Sequence, residues 1–168
     1  MHLNRFVKLP KKISGRLCLH SMPGCAEKLY DFFDEAKRLS IDVIVSLTSF
    51  DEINEKSPLY ASAISDGTFV FKRECFGIPD FGVPSDRKAF AEFVRKMANL
   101  LCTGKTIVVH CGAGIGRTGT FAICLLLSLG IERREAEKAV SDAGSHPETE
   151  EQESLTEWFE KNSLPPLI

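Results

Sequence analysis

The chain has 168 residues, 43% of them hydrophobic, and its 21 basic and 23 acidic residues leave a net charge of -2. That length suffices for one domain, 1–168, with its own core, and the charge balance excludes a polycationic surface built for nucleic acid. Residues 1–10 lack the long apolar stretch of a secretory signal, and the longest apolar-rich run, 121–131, is too short to span a bilayer; the expectation is a cytoplasmic protein without stable membrane association.

In chain order, residues 17–19 read as an early strand and Met22-Pro23-Gly24 as a turn. Residues 26–39 carry Leu29, Phe32, Phe33, Ala36 and Leu39 at helical spacing. D-V-I-V-S-L, 42–47, reads as a short buried strand, and G-T-F-V-F-K, 67–72, as another. Two glycines and two prolines exclude regular structure from F-G-I-P-D-F-G-V-P-S, 76–85. Ser85 is placed to cap the next helix, whose apolar face is Phe90, Phe93, Val94, Met97 and Leu101. K-T-I-V-V-H, 105–110, predicts a strand, and the nearly all-apolar stretch 121–129 a short buried helix. Further helices are expected from Ile131 to about Ser141 and over 150–159, while 50–60 is a candidate pocket wall. This alternation predicts an α/β fold, helices flanking a central, largely parallel sheet. Ligands of such sheets bind beyond the carboxyl ends of the strands.

Six cysteines, at 18, 25, 75, 102, 111 and 124, form no C-x-x-C pair. No disulfide framework is expected. Cys102 and Cys124 fall in apolar helical patterns and read as core residues. Cys18, Cys25 and His20 lack a second ligand pair at structural-zinc spacing, so no metal or other cofactor is expected.

The chemistry concentrates in H-C-G-A-G-I-G-R-T-G, 110–119. Gly112, Gly114 and Gly116 permit a tight loop whose backbone N–H groups converge on an oxyanion, beside the start of a helix. Ala113 and Ile115 complete the loop. Arg117 adds a planar pair of donors for two phosphate oxygens, and the same field stabilises a thiolate at Cys111. The loop is not a nucleoside-triphosphate P-loop, because no lysine followed by serine or threonine ends it. It also lacks the G-x-G-x-x-G dinucleotide pattern.

This stretch resembles the signature loop of the cysteine-dependent protein tyrosine phosphatase superfamily. Ile78-Pro79-Asp80-Phe81-Gly82-Val83-Pro84 resembles the family's mobile acid loop, and Pro147-Glu148-Thr149-Glu150-Glu151-Gln152 its glutamine-containing loop. The similarity runs from about Ile13 to Phe159, and the compact length resembles small dual-specificity or prokaryotic-type members. It implies a protein tyrosine phosphatase-like fold, with Cys111 as nucleophile and Arg117 as phosphate binder. Thr118 resembles the hydroxyl residue that hydrogen-bonds the cysteine sulfur, with a helix-start role beside it. Asp80 is the candidate general acid; Asp86 is its neighbouring rival, but reads as the start of the next helix.

Two positions depart from the familiar pattern. Ile78 stands in place of a tryptophan, so the hinge packs differently. Glu148 replaces the first glutamine, which leaves Gln152 as the water-positioning candidate, with a helix-start role as the alternative. His110 supports the loop from below, as a structural or a tuning residue. Glu52 is a candidate partner of Arg117 or a solvated loop charge.

The implied reaction is metal-independent hydrolysis of a phosphate monoester, with a phosphotyrosine protein or peptide as the leading substrate. Dual specificity toward phosphoserine and phosphothreonine is the first alternative, lipid or RNA 5′-phosphatase activity the second. A phosphoprotein-binding module without turnover is the non-enzymatic one. A thiolate nucleophile also implies redox sensitivity, with Cys25 and Cys75 as candidate disulfide partners of Cys111.

Overall fold

The computed structural model describes residues 3–168; Met1 and His2, which open the expected domain, lie outside the described residues. Four short strands set the architecture: Arg16–His20 (β1), Val43–Ser46 (β2), Lys72–Cys75 (β3) and Thr106–His110 (β4). They form one parallel sheet in the order β1-β4-β2-β3. Strands β2 and β4 are buried along their whole length, as the interior of a sheet covered on both faces requires.

Alternation along the strands divides the core. Leu17, Leu19, Val43, Val45, Ile107 and Val109 belong to the main cluster, which includes Arg87–Cys102 (α4), Gly116–Ser128 (α5) and the apolar side chains of Arg133–Asp142 (α6) and Glu150–Asn162 (α7). Cys18, Ile44 and Val108 pack in a second cluster with Phe32 and Ala36 of Leu29–Arg38 (α1). A third cluster joins Met22 and Leu29 to Ile53 of Phe50–Lys56 (α2) and Tyr60 of Pro58–Ser65 (α3). The predicted α/β arrangement is therefore present.

Three local expectations need correction. The strand placed at 67–72 lies at Lys72–Cys75 instead. Phe69 and Phe71 are withdrawn into an aromatic cluster, each ring 5.9 Å from that of Phe33, and the charged K-R-E-C forms the edge strand, where charge discourages pairing with another chain. The cap of α4 is Asp86, which accepts from Ala89 N–H at 2.9 Å, and not Ser85. Helix α5 begins at Gly116, five residues before the expected 121, because a polar first turn is buried together with the apolar remainder. Within it Gly119 is needed for close approach: a Cβ there would lie 2.5 Å from the His146 backbone nitrogen.

Because the strands are parallel, His20, Ser46, Cys75 and His110 end at one edge of the sheet. The loops after all four strands gather there. No helix among the described residues is long and apolar enough to cross a membrane.

Phe90 anchors the main cluster: it is fully buried, with ring contacts to Phe76 (5.7 Å), Phe121 (6.1 Å) and Phe159 (6.4 Å). Phe90→Ala is expected to cost about 3–5 kcal/mol, read as a lower urea midpoint at an unchanged slope.

Candidate active site

The loop between β4 and α5 is shaped by where its carbonyls point. Gly112 C=O accepts from Met22 N–H at 2.8 Å. Gly114 C=O accepts from Arg5 (2.8 Å) and from the Ser145 hydroxyl (2.7 Å). In a planar trans peptide the next N–H points opposite to the carbonyl, so outward-held carbonyls turn the amides of Ala113 and Ile115 inward. Gly114 N–H donates to Cys111 Sγ at 3.2 Å. Gly114 has φ +75°, and a Cβ there would lie far inside contact distance of His20 C=O. Only glycine fits that position.

Cys111 is 3% exposed at the end of β4. Arg117 is equally buried in the first turn of α5. Its guanidinium meets Glu52 with two 2.8 Å hydrogen bonds, Asp80 with one of 2.7 Å and Ile78 C=O with one of 2.9 Å. Lys56, one helical turn after Glu52, donates to Glu52 at 2.8 Å and to Asp80 at 3.2 Å. A Cβ on Gly112 would lie 3.2–3.4 Å from Lys56 Nζ, Glu52 Oε1 and Arg117 NH2. The two cations and two carboxylates therefore crowd the mouth of the glycine loop. The Arg117 hydrogen bonds, opposed by burial, hold the Glu52 carboxyl well down, at about 2. Burial works against the Arg117 charge, and the Glu52 hydrogen bonds with the nearby Cys111, Glu52 and Asp80 charges outweigh it, raising its pKa.

The acid loop is fastened at several points. Ile78 is buried in the main cluster, and its N–H donates to Leu47 C=O at 3.0 Å. Phe81 takes φ +56° and remains 60% exposed. Gln152 holds the loop from the other side. Its Nε2 donates to Gly82 C=O at 3.2 Å, while its Oε1 accepts from Glu148 N–H at 2.8 Å. Thr149 caps α7 by accepting from Gln152 N–H at 3.2 Å. In this structure the Gln152 amide ties the start of α7 to the acid loop.

His110 is fully buried. Its Nδ1 lies 3.1 Å from Cys111 C=O and its Nε2 3.2 Å from Tyr60 Oη. The carbonyl requires Nδ1 to carry the proton, so Nε2 accepts from the Tyr60 hydroxyl. Burial pushes His110 down to about 3, which leaves it neutral. Thr118 is also fully buried, and its hydroxyl has no hydrogen-bond partner among the described residues; the expected bond to the cysteine sulfur is not made in this structure.

The structure thus brings Cys111, Arg117, Asp80 and Glu52 together with the glycine loop. Lys56, Arg5, Ser145 and Tyr60 were missed from sequence. The four-residue Glu52–Lys56 spacing signals a helical ion pair and points to Lys56; no local pattern signals Arg5, which reaches the loop from 109 residues away. Ser46 pairs with both Cys75 and His110, which sets those two about 10 Å apart across two strand spacings. Cys75 and Cys111, offered as a disulfide pair, are both free cysteines here, Cys75 exposed and Cys111 buried. Cys18 is buried in the core and Cys25 exposed.

A family model described as the DSP-PTPase phosphatase domain of Swiss Army Knife proteins (PTP-SAK) matches residues 14–163. The chain belongs to this family of phosphatase domains. It is similar to tyrosine-protein phosphatase non-receptor type 61F of Drosophila melanogaster, 46% identical over 55 residues, 29% of this chain and 10% of that protein. It is also similar to the human non-receptor type 9 enzyme, 42% identical over 64 residues, 28% of this chain and 11% of that protein. These matches span about a tenth of the curated relatives. Kinase associated phosphatase, solved with its catalytic-site cysteine replaced by serine, superposes with a TM-score of 0.76 at 20% identity, covering 95% of this chain and 96% of that one. Tk-PTP in its active form gives 0.69 at 24%, covering 95% and 98%. At these identities the likeness defines a common fold.

Glu52→Gln is expected to destabilise the fold by about 2 kcal/mol at neutral pH, the scale of hydrogen bonds to a charged partner near solvent. A carboxyl held down at about 2 against an ordinary 4.5 contributes stability that is complete above 4.5 and disappears as pH falls through about 2. The gap between wild type and variant should therefore close across that window, measured by denaturant unfolding at a series of pH values.

Proposed function

We propose that this chain is a metal-independent phosphate monoester hydrolase acting through a cysteinyl phosphate on Cys111, with phosphotyrosine in a protein or peptide as its substrate. The observation that carries the reading is the convergence of Arg117 and Asp80, 2.7 Å apart, at the glycine loop whose Gly114 N–H donates to the Cys111 sulfur. A phosphate entering the loop takes its oxygens to the inward amides and to the Arg117 fork, displacing Asp80 from the guanidinium. The Cys111 thiolate attacks phosphorus, the ester P–O bond breaks, and Asp80 gives its proton to the leaving oxygen. Water then attacks the phosphocysteine, its proton passes to the Asp80 carboxylate, and the S–P bond breaks to release phosphate. Arg117 and the amides supply the electrostatic stabilisation that a metal supplies in other phosphatases.

Support for tyrosine comes from similarity and from the loop's own composition. The stretches of the chain that match tyrosine-protein phosphatases at 42–46% identity over 55–64 residues favour that substrate, and Ala113 and Ile115 add no lysine to the glycine loop that would favour a highly charged phosphoinositide headgroup. Neutral His110 serves as a support of the Cys111 carbonyl, not as a base. Gln152 serves as a positioning residue for the acid loop. A reducing, cytoplasmic setting belongs to this reading, because the nucleophile acts only as a thiol.

Phosphate release from a phosphotyrosine peptide in the presence of a chelator is expected to fall at least about 10⁴-fold in Cys111→Ser, and about 10²–10³-fold in Asp80→Asn, the usual range for losing a positioned acid. The Asp80→Asn loss should shrink when p-nitrophenyl phosphate, whose leaving group needs no proton, replaces the peptide. Full activity of Cys111→Ser would contradict the mechanism, and tight peptide binding without turnover in every form would favour a binding module instead.

A further inference from the structure

A groove of about 680 Å³ opens beside the candidate active site. One wall is the loop after β1 with the first turn of α1; the other is the junction of α2 and α3. That volume lies in the range of ligand-binding clefts. Both walls are fixed to the catalytic loop. The first hangs from it through the Met22–Gly112 hydrogen bond. The second carries Lys56, which lines the groove and holds Glu52 and Asp80. The walls are also joined to each other: the Ser57 hydroxyl donates to Pro23 C=O at 2.8 Å, and Cys25 Sγ lies 3.5 Å from Lys56 C=O. The groove is thus held in register with the site.

Its surface has a definite chemistry. Tyr30 is 77% and Leu59 70% exposed, and both line the groove. Single exposed apolar side chains are ordinary; here two large ones line opposite walls of one cleft. The charge is one-sided. Glu27 turns inward with 4% side-chain exposure, one oxygen accepting from Gly24 N–H. Lys56 is engaged by Glu52 and Asp80, which leaves Lys28 as the outward charge of the lining.

We propose that this groove receives the polypeptide flanking the phosphorylated residue of the substrate, and that it selects an apolar side chain for Tyr30 and Leu59 together with an acidic one for Lys28. The inference rests on the phosphatase reading above and names the substrate class more narrowly: a phosphopeptide with an apolar and an acidic residue within a few positions of the phosphoresidue. A small aryl phosphate fills the glycine loop without reaching these side chains. An inositol headgroup has no apolar part for Tyr30 and Leu59.

The test compares wild type with Leu59→Glu and Lys28→Glu, both at exposed positions outside the catalytic machinery, with folding checked by circular dichroism. The substrates are p-nitrophenyl phosphate, a phosphotyrosyl peptide flanked by leucine and aspartate, its counterpart flanked by glycine and lysine, and a phosphoinositide in vesicles. Wild type should prefer the leucine–aspartate peptide. Each variant should lose roughly ten-fold in kcat/KM on that peptide, carried by KM, as expected for removing an apolar contact or a charge pair, with p-nitrophenyl phosphate turnover unchanged. Equal kcat/KM for the two peptides on wild type, or variants that match wild type on both, would overturn the groove's role while leaving the phosphatase reading intact. Variants that lose only phosphoinositide hydrolysis would likewise overturn it. Failure of wild type to hydrolyse any of the four would overturn the phosphatase reading and this inference with it.

Discussion

Arg117 is almost wholly buried, and a guanidinium removed from water is tolerated only when its donors are met. Glu52 meets it fork to fork, and Asp80 and Ile78 take further donors. The partners arrive from two connections at the carboxyl edge of the sheet, those after β2 and after β3. Glu52 is positioned by the Ser49 cap of α2, and Asp80 and Ile78 by the chain leaving β3. The same buried charge therefore assembles the site and fastens the loops around it. Its position at the start of α5 explains why that polar first turn is buried as deeply as the apolar turns that follow.

The glycine loop has a complementary logic. Its amides face inward because its carbonyls are held outward by Met22, Arg5 and Ser145. Those supports come from the N-terminal segment, the loop after β1 and the turn before α7. The preorganised field at Cys111 is thus a property of the whole α/β scaffold. The neutral His110–Tyr60 pair extends it downward, linking the Cys111 carbonyl to α3 without adding charge beneath the thiol.

Much of this was legible in the sequence, for identifiable reasons. Strands β2 and β4 are continuous apolar runs, and a run buried on both faces leaves little ambiguity. Cysteine, glycines and arginine at 111–117 carry their chemistry within seven adjacent residues. The edge strand was misread because its residues are charged while its neighbours Phe69 and Phe71 look like a strand; burial of those rings against Phe33 outweighs β-propensity. Residues 116–120 look like a loop because glycine and threonine are weak helix formers, and tertiary packing decides them. Lys56 is signalled by its i,i+4 spacing from Glu52, but its contact with Asp80, 24 residues away, and the Arg5 contact with Gly114, 109 residues away, are encoded by no local pattern. Gln152 was found by resemblance; its hydrogen bonds to Gly82 and Glu148, which join the acid loop to the start of α7, were not.

The central claim is that Cys111 itself carries the phosphoryl group. It is tested most directly by rapid acid quench of a single turnover with a phosphate-labelled phosphotyrosine peptide, followed by peptide mapping. The account predicts label on the Cys111 peptide within the first turnover, decaying as free phosphate appears, and none there in Cys111→Ser. Release of labelled phosphate at the full rate with no label ever reaching the Cys111 peptide would contradict it.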